Sequence, residues 1–327
     1  MVQVYLIEHE PLTLIDTGVK TAESLQTLRA AFDELGHGLD EVERIILTHY
    51  HEDHLGQAQV IRDAGARLEL WAHEAEAPII ESWTPERHEK LDETNSLLRE
   101  YGVPDELLER QTRWLRKVMK KGPPISAATS VERVLRDGDR IPFKDFELGA
   151  IHAPGHTAGH LLLHEEGSRV LISGDHIMGD AVPFTENYYV EGPPKPSDPL
   201  ARRPRFSGLT PYLESTRRLR RQSFSAILPA HGGVIERPDR HIEDALLFYD
   251  VRVQRIERGL RSLAAMGQEV TGWDIWKALF PKADPVEEMR TRMLMVIGAL
   301  DELEAQGICI TSRRSDGVLV HMHAPRP

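Results

Sequence analysis

Thr48-His49-Tyr50-His51-Glu52-Asp53-His54 sets three imidazoles and two carboxylates within seven residues. The run 44–48 leading into it has the apolar, β-branched character of a buried strand, and 55–64 has helical spacing that stops at Gly65. Side chains at a strand exit can fan toward one point. Neutral imidazole with carboxylate is the donor set that zinc prefers and that iron and manganese also accept. The bland alternative is a solvated polar turn, in which three histidines would have no packing purpose.

Other ligand-capable side chains stand at similar places. Pro154-Gly155-His156-Thr157 follows the strand pattern 146–152, Ser173-Gly174-Asp175 ends 170–173, and Pro229-Ala230-His231-Gly232 closes the apolar run 226–228. Each is flanked by Gly or Pro, which lets the chain turn sharply. Strand patterns at 2–7, 12–16, 67–72, 131–135 and 160–164, with a helix at 21–35, give the alternation of an α/β layered fold. The strands pause at 73–121, where two or three helices with an apolar side are expected. Residues 183–211 hold seven prolines and read as a long loop. Beyond Pro238 a helix is expected at 242–266, a short one capped by Thr271, and a third from Asp284-Pro285 to Gln306. Strands at 308–312 and 318–323 flank the hairpin signal Asp316-Gly317. Three helices and a hairpin form a winged-helix pattern.

His49-x-His51-x-Asp53-His54, then His156, Asp175 and His231, with Asp16-Thr17-Gly18 as an opening motif, resembles the metallo-β-lactamase superfamily. The resemblance implies a four-layer αββα sandwich over residues 1–240, with a helical insertion at about 73–121 and a winged-helix domain at 241–327. It implies that His49, His51 and His156 hold one cation and that Asp53, His54 and His231 hold a second. Asp175 would bridge them, and Asp16 would steady the ligand loop from behind. The appended winged helix is similar to a sub-group with lactamase-like endoribonucleases and glyoxalase II-like hydrolases. Such domains usually have another strand before 2–7, and this chain starts too late for it.

Five neutral and two anionic ligands suit two divalent cations about 3.5–4 Å apart, zinc first, iron or manganese otherwise. Water bound between them reaches a pKa of about 7 or below, so hydrolysis by metal-bound hydroxide is the expected reaction. Asp53 and Asp175 are the expected catalytic carboxylates. His160, as a strand residue, should turn from the metals and support them by packing. His176 is balanced between facing the substrate and bonding its own loop. Tyr188 and Tyr189 are candidate substrate contacts or oxyanion donors on the proline-rich loop. Arg202, Arg203, Arg205, Arg217, Arg218, Arg220 and Arg221 form the one basic concentration, and they favour an anionic substrate only if they line the cleft.

Composition narrows the partners. The chain carries 52 acidic and 40 basic residues, a net charge of −12, which argues against general attraction to nucleic acid or anionic lipid. Residues 250–327 hold 11 of each sign, so sequence-specific DNA reading is not expected there; packing, cleft closure or assembly of a homo-dimer is. One cysteine, Cys309, excludes a disulfide framework and suits a cytoplasmic setting. Neither a basic leader nor an apolar run of about 18 residues is present, so no signal peptide or membrane partner is expected. The expected substrate is a small thioester, ester or lactone. The alternative is a metal-dependent phosphodiesterase or endoribonuclease acting on single-stranded RNA.

Overall fold

Alternation along the strands decides the layering. Ile45 and Leu47 point into a cluster with Leu28 and Phe32 of helix Ala22–Leu35 and Ile61 of helix Ala58–Asp63. Ile46, between them, points the other way and joins Ile15, Trp71, Leu161, Leu163 and Ile172. Leu14 and Ile15 divide in the same fashion, as do Leu70 and Trp71. Side chains of period two thus serve a helical layer and a second sheet at once, which is why these strands read as continuous apolar runs. Each fully buried Ile or Leu contributes about 1.5–3 kcal/mol relative to exposure.

The computed structural model describes residues 2–65, 67–85, 90–121, 124–267 and 269–324. One sheet has the spatial order Tyr5–Ile7, Thr13–Ile15, Arg44–Ile46, Glu69–His73, Arg133–Leu135, with the last four parallel. The other runs Ala226–Pro229, Val170–Gly174, Leu161–Glu165, Glu147–His152, Arg140–Pro142 and is antiparallel except at its first pair. Its outer face carries Leu162, Leu171 and Ile227 against Leu219, Ile242 and Ala245 of helices Leu209–Leu219 and Pro238–Ala264. Helix, sheet, sheet, helix is the layered α/β order expected. No helix among the described residues is long and apolar enough to cross a membrane.

The chain divides into two units that do not follow sequence order. The first comprises Met1–Glu89, Gly122–Pro183 and Ser215–Ala245. The second comprises Lys90–Lys121, Phe184–Glu214 and Leu246–Pro327. Most of residues 73–121 and the proline-rich stretch cluster with the C-terminal residues. Within the second unit, Arg202 bonds Glu304 (3.0 and 2.9 Å), Arg205 pairs with Asp301, and Gln111 donates to Val286 O (3.0 Å).

Several local expectations change. Residues 183–211 are not one loop: Asn187–Tyr189 pairs antiparallel with Arg205–Ser207, Tyr188 opposite Phe206, and a helix starts at Leu209. The expected 55–64 helix is split into Glu52–Leu55 and Ala58–Asp63, because Gln57 N–H donates to Gly18 O (3.2 Å) instead. The last long helix is Met289–Ala305, beginning later than Asp284, whose carboxylate binds the Val286 and Glu287 N–H groups and makes a turn. Thr271 does cap Gly272–Leu279, in a capping box with Asp274. The hairpin forms as Cys309–Arg313 with Leu319–His323.

Candidate metal centre

Four strand exits of the first unit converge. His49, His51 and His54 follow Arg44–Ile46, His156 follows Glu147–His152, Asp175 follows Val170–Gly174, and His231 follows Ala226–Pro229. Ligand atoms of His49, His51, His156 and Asp175 all lie within 4.8 Å of one another, and so do those of Asp53, His54 and His231. His51 Nδ1 is 2.9 Å from His49 Nε2 and 3.0 Å from His156 Nε2. Asp175 faces both groups. Its Oδ2 is 3.4 Å from His156 Nε2, while its Oδ1 is 3.4 Å from both His54 Nε2 and His231 Nε2. Asp53 Oδ2 lies 3.2 Å from His231 Nε2.

Neighbours aim these side chains. Asp16 accepts from Thr48 N–H (2.8 Å) and Thr48 Oγ1 (2.8 Å), and its Oδ2 lies 2.8 Å from His54 Nδ1, which leaves His54 Nε2 for the cluster. It does so from a left-handed backbone (φ 58°), a conformation that Asp tolerates better than most residues. Thr48 Oγ1 is 3.0 Å from His49 Nδ1, so His49 likewise presents Nε2. The loop of His231 is held by the N-terminal residues. Gln3 N–H donates to Ala230 O (2.7 Å), the Gln3 amide to Gly232 O, and the Tyr5 hydroxyl to Pro229 O (2.6 Å).

The electrostatics are those of a crowded site. Burial, then the surrounding imidazoles, pushes His49 well below the ordinary histidine value. His54 stands well above it: burial opposes its charge, but Asp16 and Asp175 outweigh that. Burial raises Asp175, yet His54 and the other histidines bring it down to about 2. His231 is raised by its bond to Asp53. His54 Nε2 and Asp175 Oδ1 are buried and make no hydrogen bond. Convergent buried donor atoms left without a hydrogen bond are what a cation would use, and the His and Asp set fits divalent ions of intermediate hardness. Asp53 and His231 are the partly exposed members, about 30% and 24% by side chain, so solvent reaches the cluster on their side.

His160 stands behind the cluster, outside both ligand groups. It is fully buried against His49, ring centroids 4.9 Å apart, and its Nε2 accepts from the Asp175 N–H (3.1 Å). Gly174 (φ 49°) makes room for that ring, since a Cβ there would stand 2.9 Å from it. His176 is buried and lies 3.1 Å from Thr216 Oγ1, so it bonds its surroundings instead of facing a substrate. Tyr188 and Tyr189 belong to the second unit. Tyr188 lies under Lys90, and the buried Tyr189 is stacked by Arg203. Sequence reasoning missed Gln3, Tyr5 and the buried Glu76, whose carboxylate accepts from Tyr50 N–H. Nothing in their letters separates them from ordinary polar residues.

A family profile described as the metallo-beta-lactamase superfamily matches residues 1–231. The chain belongs to that superfamily. It is similar to the probable metallo-hydrolase YqjP of Bacillus subtilis, 28% identical over 309 residues that cover 93% of this chain and 88% of that one. A beta-lactamase domain protein from Burkholderia ambifaria shares the fold of this superfamily member, with TM-score 0.73 and 19% identity over 99% of this chain and 88% of its own. A shorter likeness, 27% over 134 residues, joins 41% of the chain to 34% of the atrochrysone carboxyl ACP thioesterase AgnL7 of Paecilomyces divaricatus.

Proposed function

We propose that the protein is a metal-dependent hydrolase of small thioesters, esters or lactones, with two divalent cations, zinc first, held by the His49, His51, His156 group and the Asp53, His54, His231 group. The observation that carries this is the division of Asp175, one oxygen toward each group. When bound, such cations supply Lewis-acid activation of water and of the scissile carbonyl. The chain's own part is geometric. Asp175 fixes the two groups at a common distance, and Asp16 with Thr48 locks the ring orientations of His54 and His49. Asp53 and His231, on the open side, would meet the incoming substrate, and Asp53 would orient the attacking water.

Two observations support an ester-like substrate over RNA. Arg202 and Arg205 are committed to Glu304 and Asp301, and Arg218 is committed to Asp137 and His152 O, which takes them from the pool of phosphate ligands. A relative named as an ACP thioesterase also matches part of the chain. The three C-terminal helices and hairpin read as a winged helix that serves packing or self-association in a cytoplasmic enzyme, not duplex binding.

The test is a metal-reconstituted screen across thioesters, lactones, phosphodiesters and single-stranded RNA. Thioester or lactone turnover is expected, and turnover of RNA alone overturns the substrate class. Asp175→Ala should lower bound metal and turnover together by at least about 100-fold with the fold retained by circular dichroism. Undiminished metal and activity would refute the two-cation arrangement.

A further inference from the structure

The helix Ala77–Glu81 is preceded by a carboxylate turned inward. Glu76 is only 1% exposed, and its two oxygens serve two different loops. Oε2 accepts from the N–H of Tyr50 (2.9 Å), the residue between His49 and His51. Oε1 accepts from the N–H of Gly159 (2.5 Å), three residues beyond His156 and one before His160. A buried carboxylate is costly unless its hydrogen bonds are made, and those from backbone N–H groups to an ionised oxygen are among the stronger ones in proteins. Gly159 is an independent sign of the same arrangement. A Cβ at that position would stand 2.7 Å from Glu76 Cγ, 2.8 Å from Oε1 and 2.7 Å from His73 Nδ1, so the carboxylate reaches its donor only because residue 159 has no side chain.

We propose that Glu76 is a positioning residue that ties the His49–His51 loop to the His156 loop and so sets the spacing of the three imidazoles of the first group. It acts through the two backbones, by its bonds to Tyr50 N–H and Gly159 N–H. Metal–ligand lengths tolerate only about 0.2 Å, so loops that drift apart by more than that lose affinity before they lose the fold. The inference rests on the two-cation reading and adds the device that keeps one of its sites in register.

Cobalt(II) alone is the probe, because its visible spectrum reports coordination geometry. Glu76→Gln keeps the shape but sets an amide NH2 against one of two N–H donors. Gly159→Ala leaves the carboxylate in the sequence and displaces it. Both variants should bind cobalt about 10- to 100-fold more weakly, with an altered visible spectrum. The double variant should be little worse than the poorer single one, since both break the same link. Wild-type affinity and spectrum in Glu76→Gln overturn the proposal even if the unfolding midpoint falls, because a carboxylate that only stabilised the fold would change stability alone. Should Glu76→Gln not fold, Gly159→Ala decides by the same two readouts. Loss of cobalt in His49→Ala with none in Glu76→Gln removes this inference and leaves the metal reading standing. A wild-type chain that takes up no cobalt removes both.

Discussion

At the scale of single residues, the centre depends on a few groups that bond more than once. Asp16 is one, with Thr48 N–H, Thr48 Oγ1 and His54 Nδ1 all on its carboxylate. Asp16→Ala would leave these buried groups without their partner and should cost about 2–4 kcal/mol in urea denaturation of the metal-free protein. A loss below about 1 kcal/mol would mean that the groups find other partners. The candidate ligands stood out because few side chains can donate to a cation and seven of them stood at strand exits, where the structure gathers them into two groups. Their supports were not. A glutamate has the same letter whether it lies in solvent, as Glu23 does, or is sealed under two loops, as Glu76 is. His160 precedes the strand Leu161–Glu165 and meets the cluster from behind, against His49 and the Asp175 backbone.

At the scale of elements, strands with both faces buried announced themselves, because an unbroken β-branched run packs well only as a strand covered on both sides. Breaks in regular structure were harder to foresee. Gln57 leaves a helical course because a carbonyl of Gly18, distant in sequence, takes its N–H, and Asn187–Tyr189 becomes a strand only because Arg205–Ser207 lies alongside. The Tyr5–Ile7 strand also does more than close a sheet edge. Burial first, and Asp16 second, push the Tyr5 phenol up to about 12, so it stays a donor to Pro229 O beside His231. Tyr5→Phe should therefore lower stability by about 1 kcal/mol and weaken uptake of the second cation more than the first, which sequential metal titration resolves. Equal weakening at both sites would argue against a link from this strand to His231.

At the scale of the molecule, buried neutral histidines make the fold sensitive to acid. Burial above all lowers His321 from 6.5 to about 4. The folded chain binds that proton more weakly than the unfolded one, so acidification from about pH 6.5 to pH 4 favours unfolding by up to about 1.4 kcal/mol per pH unit. His321→Gln should shrink the fall in the urea midpoint across that window, and an unchanged fall would show that the imidazole is solvated in the native state. Molecular partition was the least legible feature. A contiguous tail was the natural reading of three helices and a hairpin, yet the second unit is assembled from Lys90–Lys121, Phe184–Glu214 and Leu246–Pro327. That assembly bears on inheritance. A recombination event exchanging only the C-terminal stretch would deliver new partners to Arg202 and Arg205 in place of Glu304 and Asp301, and a half-buried guanidinium stripped of its carboxylate costs several kcal/mol. Three segments scattered through the gene must change hands together, so this part of the protein cannot travel as a cassette.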